Sequence, residues 1–393
     1  MPFRTGVTIE MRMRLPTWRS GLRLYRLAAA KLAPPAPMTV SRTTRPGKTE
    51  PKTSHMTVAV IVPAHNYGRY LGEAIESLQR QVDVDWECVV VDDGSTDDTA
   101  EIMAALAASD SRITYVSQAA AGPAAARNAG LAATTDEFVQ FLDADDFLGP
   151  RKLQHQLEVF ARHPEADIVY GAARYFVEGI PGDSEEDAGR RWIDGPELRG
   201  VSGPGSSVLA TLVDANFMVI EAPLIRRSLL EKTGGFDPLI RRTEDWECWL
   251  RCALAGAYFL GDDSGDADAL PCVRVHRASS SQDQIAMHEA AVRVREGIES
   301  KLEDPQLRRL NRRRIHGHWA VIGMLEGLGD HLGSGMRYLL KAGIAERQIK
   351  WLAWGFLMPL VRRPPGSWAM RRLRAFLARR RGEEVRDWQT HWP

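Results

Sequence analysis

Four short apolar runs, each ending in a polar or Gly-rich loop and each followed by an amphipathic stretch, constrain this chain more than any other feature. Residues 58–62 read Val-Ala-Val-Ile-Val and stop at Pro63. Residues 86–91 stop at Asp92-Asp93-Gly94-Ser95, residues 113–116 lead towards Gly122-Pro123, and residues 138–142 run into Asp143-Ala144-Asp145-Asp146. Predominantly apolar runs of this length, the first of them unbroken, suit strands buried on both faces. Between them, residues 70–81 put Leu71, Ala74, Ile75 and Leu78 on one helical face. Residues 97–108 read as a second helix, and Pro123 opens a third that runs to Ala133. Strands alternating with helices predict an α/β fold: a doubly wound, mostly parallel sheet with helices on both faces and right-handed crossovers.

Further along, helices are expected over 150–163, 224–233 and 245–254, and a strand over 167–177. The Gly-, Pro- and acid-rich stretch 179–205 reads as a long surface loop, a lid or acceptor loop. In a sheet of this kind ligands bind at the carboxyl ends of the strands. The loops 63–69, 92–96, 118–122 and 143–146 all leave that edge, and they hold much of the polar chemistry of this half.

The last of these loops is the most suggestive of chemistry. Asp143 and Asp145, separated by Ala144, can face one point just past a strand end. Hard divalent cations take such oxygen ligands, and Mg²⁺ or Mn²⁺ commonly joins one or two carboxylates to a diphosphate. The plainer alternative is a turn whose acids cap the next helix, the role expected here for Asp146.

The 393 residues carry no formal net charge, but the charge is segregated. Residues 1–56 hold 11 Lys/Arg against 2 Asp/Glu, residues 341–393 hold 12 against 4, and the stretch between them is left at −17. An acidic body with basic ends fits a metal-using catalytic core whose termini touch anionic lipid. Nucleic acid is not expected, since no recognition motif accompanies the basic segments. The expected division is a basic, disordered extension over 1–55, a catalytic domain over 56–287, and a helical, basic C-terminal extension over 288–393. In that extension the apolar stretch 351–361, followed by six arginines within 371–381, resembles an interfacial helix or a helix packed on the body with a solvated basic face. No apolar run is long enough to span a bilayer. Cys88, Cys248, Cys252 and Cys272 lack zinc-site spacing and read as isolated buried thiols in a cytoplasmic protein.

The order of the motifs resembles the inverting nucleotide-sugar glycosyltransferases of family 2, with their GT-A type fold. Val60-Ile61-Val62-Pro63-Ala64-His65-Asn66 is similar to the family's first strand and nucleotide loop, and Val91-Asp92-Asp93-Gly94-Ser95-Thr96-Asp97 to its second. Ala126-Arg127-Asn128-Ala129-Gly130 is similar to the third motif and Phe141–Asp146 to the D-x-D metal motif. Gly234-Gly235-Phe236-Asp237 with Glu244-Asp245-Trp246 resembles the acceptor segment. The resemblance covers residues 57–282, and five ordered motifs make it specific where one would be weak.

The resemblance implies roles residue by residue. Pro63, Ala64 and His65 line the base pocket, Asp92 or, preferably, Asp93 contacts the nucleoside, and Arg127 binds the nucleotide. Asp143 leans to the ribose side or a metal water, Asp145 is the direct ligand of Mn²⁺ or Mg²⁺, and His276 is a third ligand. Asp245 is the catalytic base, with Glu244 as its fallback. Trp246 or Trp249 packs on an acceptor sugar or, by default, in the core. Arg251 supports the site, and Ser279–Ser281 form a mobile loop over the donor. The donor is expected to be a UDP-sugar and the acceptor a saccharide or a lipid-linked saccharide at the inner face of a bacterial membrane. Two alternatives are a sugar-phosphate nucleotidyltransferase, disfavoured by Pro63-Ala64-His65-Asn66 where such enzymes carry a Gly-rich loop, and an inactive scaffold.

Overall fold

The computed structural model describes residues 56–178, 190–193, 200–276, 283–329, 331–346 and 351–355. The basic N-terminal extension and the arginine-rich tail beyond 355 lie outside the described residues, as does the Ser279–Ser281 loop.

The expected alternation is present at the start of the chain. Strands β1 (Thr57–Ala64), β2 (Asp85–Asp93), β3 (Ile113–Gln118) and β4 (Phe138–Phe141) alternate with helices α1 (Gly68–Gln79), α2 (Thr99–Ser109) and α3 (Pro123–Ala133). All four strands are parallel, ordered β3-β2-β1-β4. Side chains of a strand alternate between faces, so β1 divides its apolar run between two layers. Val58, Val60 and Val62 join Leu71, Ile75 and Leu78 of α1 on one face. Ile61 faces α3 on the other, and Gly130 of α3 approaches it so closely that a Cβ would overlap its side chain. Register brings Ala64 opposite Asp92, Asp92 opposite Ser117, and Ile61 opposite Phe141, which lines the strand ends up along one edge.

Beyond β4 the chain departs from simple alternation. β5 (Phe147–Leu148) precedes α4 (Lys152–Arg162), and the expected strand over 167–177 is two strands, β6 (Ile168–Tyr170) and β7 (Arg174–Glu178). The stretch 179–205 contains β8 (Arg190–Ile193) and β9 (Gly203–Pro204). After α5 (Gly205–Asp214), the segment read as one helix from 224 divides into β10 (Pro223–Arg226) and α6 (Arg227–Thr233). α7 (Glu244–Leu254), β11 (Tyr258–Gly261), β12 (Pro271–Arg274) and α8 (Gln284–Ile298) follow. β10 enters the sheet antiparallel between β4 and β6, giving the order β3-β2-β1-β4-β10-β6-β11-β9. A second sheet, β5-β12-β7-β8, carries the return strand that ends near His276. Periodicity missed both features because strands of two to five residues are too short to show a period.

Two compact units divide near Leu307–Arg308. The unit that holds the sheets includes α8. From Arg308 onward the described chain is helical, comprising most of α9 (Pro305–Leu328) and α10 (Leu332–Glu346). Within that unit His316 is buried, and its Nδ1 lies 2.9 Å from Glu346 Oε1. Among the described residues no helix is long and apolar enough to cross a membrane. All four cysteines are free and buried, as expected.

One close contact fixes α5 against α7. α5 starts at Gly205, where a Cβ would overlap the backbone of Ala253 in α7. Main chain cannot yield as a flexible side chain can, so Gly205→Ala must part the two helices. The expected cost is about 1–3 kcal/mol, read as a lower midpoint in thermal denaturation.

Candidate active site

The first two sheet-edge loops are tied to each other by side chains. His65 Nδ1 lies 2.8 Å from the Asp93 carbonyl, so that nitrogen carries the proton and donates it. Asn66 has φ 59°, a left-handed conformation that Asn tolerates. Its main-chain N–H donates to Ser95 Oγ at 2.9 Å, and its Oδ1 accepts the Thr96 N–H at 2.8 Å.

The Asp92–Asp93 pair organises the edge further. Asp92 accepts the Ser95 N–H at 2.7 Å and the Tyr115 hydroxyl at 2.6 Å. Asp93 Oδ1 accepts from Ala121 N at 2.7 Å and Gln118 Nε2 at 2.8 Å, while Oδ2 accepts Gly122 N at 2.7 Å. The Asp93 carboxylate thus moulds the loop that caps α3, where Gly122 takes φ 98°. Pro63 and Ala64, at the end of β1, stand opposite Val91 and Asp92.

Arg127 sits in α3 and is buried. Its guanidinium donates to Glu244 Oε1 at 2.5 Å and to Asp143 Oδ1 at 2.6 Å. Burial works against its charge, but the two carboxylates outweigh burial and push its pKa further up. Arg127 therefore joins the acidic loop to the acceptor segment, two stretches a hundred residues apart. Glu244, the fallback base, is occupied by this pairing.

Asp143, Asp145 and Asp146 each offer a carboxylate oxygen, all within 4.8 Å of one another. His276 Nε2 lies 2.9 Å from Asp145 Oδ2, which brings the expected third ligand to this cluster. Asp145 is pushed up by burial and then by the Asp143 charge, and His276 opposes the shift. Asp146 is pushed well up by burial, then by Glu221 and its two neighbours. Asp145 and Asp146, each pushed up in part by the charge of its carboxylate neighbours, are donors that a divalent cation would relieve, so the residues fit the expected ion.

The capping role expected for Asp146 is not what the structure shows. α4 begins only at Lys152, after β5, and Asp146 Oδ1 instead accepts the Arg274 N–H at 2.7 Å. Arg274 also donates Nε to the Asp145 carbonyl at 2.7 Å and ion-pairs with Glu73.

Asp245 occupies the first turn of α7, where a carboxylate meets free N–H groups. Thr243, just before the helix, has φ 58°, a left-handed conformation strained for a β-branched residue. Burial, then Glu244, pushes Asp245 up to about 6, while the Trp246 N–H, Asn216 and Arg127 oppose the shift. Asn216 Nδ2 donates to Asp245 Oδ2 at 2.9 Å. Arg251 supports this helix as expected: it holds Glu247 and donates to the carbonyls of Thr233 and Gly235, both at 2.5 Å. Trp246 and Trp249 do not offer faces to an acceptor. Both are buried, and the Trp246 indole N–H donates to the Leu212 carbonyl at 2.8 Å.

Sequence reasoning missed Glu221, Asn216 and Arg274. Glu221 is buried, and its Oε1 accepts the Asp143 N–H at 3.4 Å. A lone acid in the apolar run Phe217-Met218-Val219-Ile220-Glu221-Ala222 was its available signal. Asn216 and Arg274 belong to no motif.

A mostly parallel sheet with an acidic cluster and a carboxylate-bearing helix at one edge defines a sugar-nucleotide transferase type of fold, and the relatives agree. Residues 59–204 match the family model "Glycosyl transferase family 2". An uncharacterized glycosyltransferase of Nostoc sp. is 33% identical over 247 residues, covering 62% of this chain and 73% of the relative. Glycosyltransferase GlyG of Streptococcus pneumoniae is 34% identical over 115 residues, 29% of this chain and 38% of that protein. The Staphylococcus aureus TarS 1–349 structure in complex with UDP-GlcNAc superposes with a TM-score of 0.54 at 17% identity, covering 84% of this chain and 93% of TarS 1–349. The chain belongs to glycosyl transferase family 2 and is a glycosyltransferase.

Proposed function

We propose that this glycosyltransferase moves a sugar from a nucleoside-diphosphate donor, a UDP-sugar by preference, to a saccharide or lipid-linked hydroxyl, with inversion and with a divalent metal. The observation that supports the reading best is the Arg127 bridge, which ion-pairs with Asp143 of the acidic loop and with Glu244, the neighbour of Asp245 in α7. The preference for UDP draws on TarS, a fold relative whose structure holds UDP-GlcNAc.

Asp145, with Asp143, Asp146 and His276, would hold Mn²⁺ or Mg²⁺. When bound, such an ion neutralises the diphosphate charge that grows as the anomeric bond breaks. The loops of Pro63–His65 and Asp92–Asp93 receive the nucleoside. Asp245 takes the proton of the acceptor hydroxyl, whose oxygen bonds to the anomeric carbon as that carbon's bond to the diphosphate breaks. The nucleoside diphosphate leaves with the bonding pair, and no enzyme–sugar bond forms.

The test is product analysis with purified protein and a panel of nucleotide sugars. Release of nucleoside diphosphate with an inverted anomeric centre, seen by NMR, supports the reading. Release of inorganic pyrophosphate, the mark of nucleotidyl transfer, would sink it. Stripping divalent metal with EDTA is expected to reduce transfer to background, and added Mn²⁺ to restore it.

We further propose that the basic ends bring residues 56–287, the catalytic part, to an anionic membrane surface on the cytoplasmic side. The support is their charge, eleven Lys/Arg in residues 1–56 and twelve in 341–393. Such attraction is screened by salt, so pelleting with phosphatidylglycerol vesicles should weaken between 50 and 500 mM NaCl.

A further inference from the structure

We propose that Asn216 is a positioning residue for the catalytic carboxylate: it holds one oxygen of Asp245 so that the other is presented to the acceptor hydroxyl. This rests on the reading of Asp245 as the base.

Asn216 lies in the segment between α5 and β10, outside every motif in the sequence. Its Oδ1 accepts the Met218 N–H at 3.3 Å, which fixes the amide so that the NH₂ group points the other way. That group donates to Asp245 Oδ2 at 2.9 Å. Asn216 is exposed, so the contact lies on the side from which an acceptor can arrive.

The segment is pinned at both ends to the parts it would coordinate. At its start, Arg295 of α8 donates to the Val213 carbonyl at 2.6 Å and the Asp214 carbonyl at 3.0 Å. The same guanidinium lies 4.6 Å from the ring centroid of Trp246, the residue after the base, whose indole is bonded to Leu212. Beside Asn216, Phe217 packs on Tyr170 with centroids 5.4 Å apart. At its end, the Glu221 carbonyl accepts Gln140 Nε2 at 2.9 Å, and the Glu221 carboxylate faces the Asp143 N–H. A segment held in this way can fix a carboxylate to the tolerance that proton transfer requires.

The charged groups bearing on Asp245 are Glu244 on its own helix and Arg127 from α3, which are paired with each other. Asn216 is the neutral side-chain donor, and its hydrogen bond favours the ionised carboxylate.

The test uses the full chain with Asn216→Ala, Asn216→Asp and Asn216→Ser. The first readout needs no substrate: the Asp245 carboxyl is titrated by ¹³C NMR, with its resonance assigned from Asp245→Asn. Asn216→Ala should raise the midpoint by about one pH unit, the size expected for a lost hydrogen bond to a charged group. Asn216→Asp should raise it more, and Asn216→Ser, which keeps a donor, should restore part of it. The second readout is UDP release from UDP-GlcNAc with Mn²⁺, where Asn216→Ala should lower kcat about tenfold and leave the donor KM unchanged. A midpoint and kcat at wild-type values in Asn216→Ala overturn the inference while Asp245→Asn remains inactive. Full activity in Asp245→Asn overturns the base assignment itself, and this inference with it.

Discussion

Asp245→Asn is expected to lower kcat by about 10²- to 10⁴-fold, the usual share of a general base, with donor affinity in Mn²⁺ unchanged. Asparagine preserves the shape and can still accept the Trp246 N–H, so the helix start should survive. What it loses is the capacity to take a proton. On the proposed role of Asp245 as base, the same carboxyl should set the pH dependence. Burial pushes it up to about 6, and a base acts only when deprotonated, so kcat/KM should climb through pH 6 and level off above it. Stability should run the other way. A carboxyl whose pKa is raised by folding contributes fully below its unfolded value, near 3.8, and loses that contribution as pH rises through 6. Asp245→Asn should therefore melt no lower than the parent at pH 8, and the gap should close at pH 4. A variant that melts lower at pH 8 would mean that the carboxylate is structural.

Arg127→Met is expected to carry the largest stability loss of any single substitution at the site. The guanidinium is 3% exposed and neutralises Glu244, itself buried, together with Asp143. Removing one partner of a buried ion pair costs about 3–5 kcal/mol, because the charge left behind has no water to turn to. For a unit of this size that is a fall in melting temperature on the order of 10 °C. The double variant Arg127→Met with Glu244→Gln removes the stranded charge as well and should recover part of the loss. Activity should not recover, since Asp143 would still lack the cation that orients it. Equal melting of the single and double variants would show that Glu244 is not stabilised by Arg127.

The strand-and-loop half of the molecule was legible because β1 to β4 are rich in apolar residues and the loops after them carry the polar ones. A buried parallel strand announces itself by composition, and the carboxyl edge is then a geometric consequence. Asp143, Asp145 and Asp245 followed from motif order and His276 from the family resemblance, and the structure brings Asp145 and His276 into contact and Asp143 within one arginine of Glu244. The failures have a common physical origin. β10 is four residues long, β5 two, and Asp146 looks like a helix cap until β5 is known to intervene. Asn216, Glu221 and Arg274 act through partners 29 to 201 residues away, and such pairings leave no local pattern. Trp246 shows the reverse case: a residue beside the base in sequence points into the core because α7 turns it there.

Hydrogen bonds among His65, Asn66, Ser95, Asp93 and Gly122 tie the first two sheet-edge loops to the start of α3. On the proposed role of these loops, they grip the part that the spent nucleotide and the fresh sugar donor have in common, so the two should compete for one place. Turnover would then slow as the by-product accumulates, and a phosphatase that removes it would keep the reaction running.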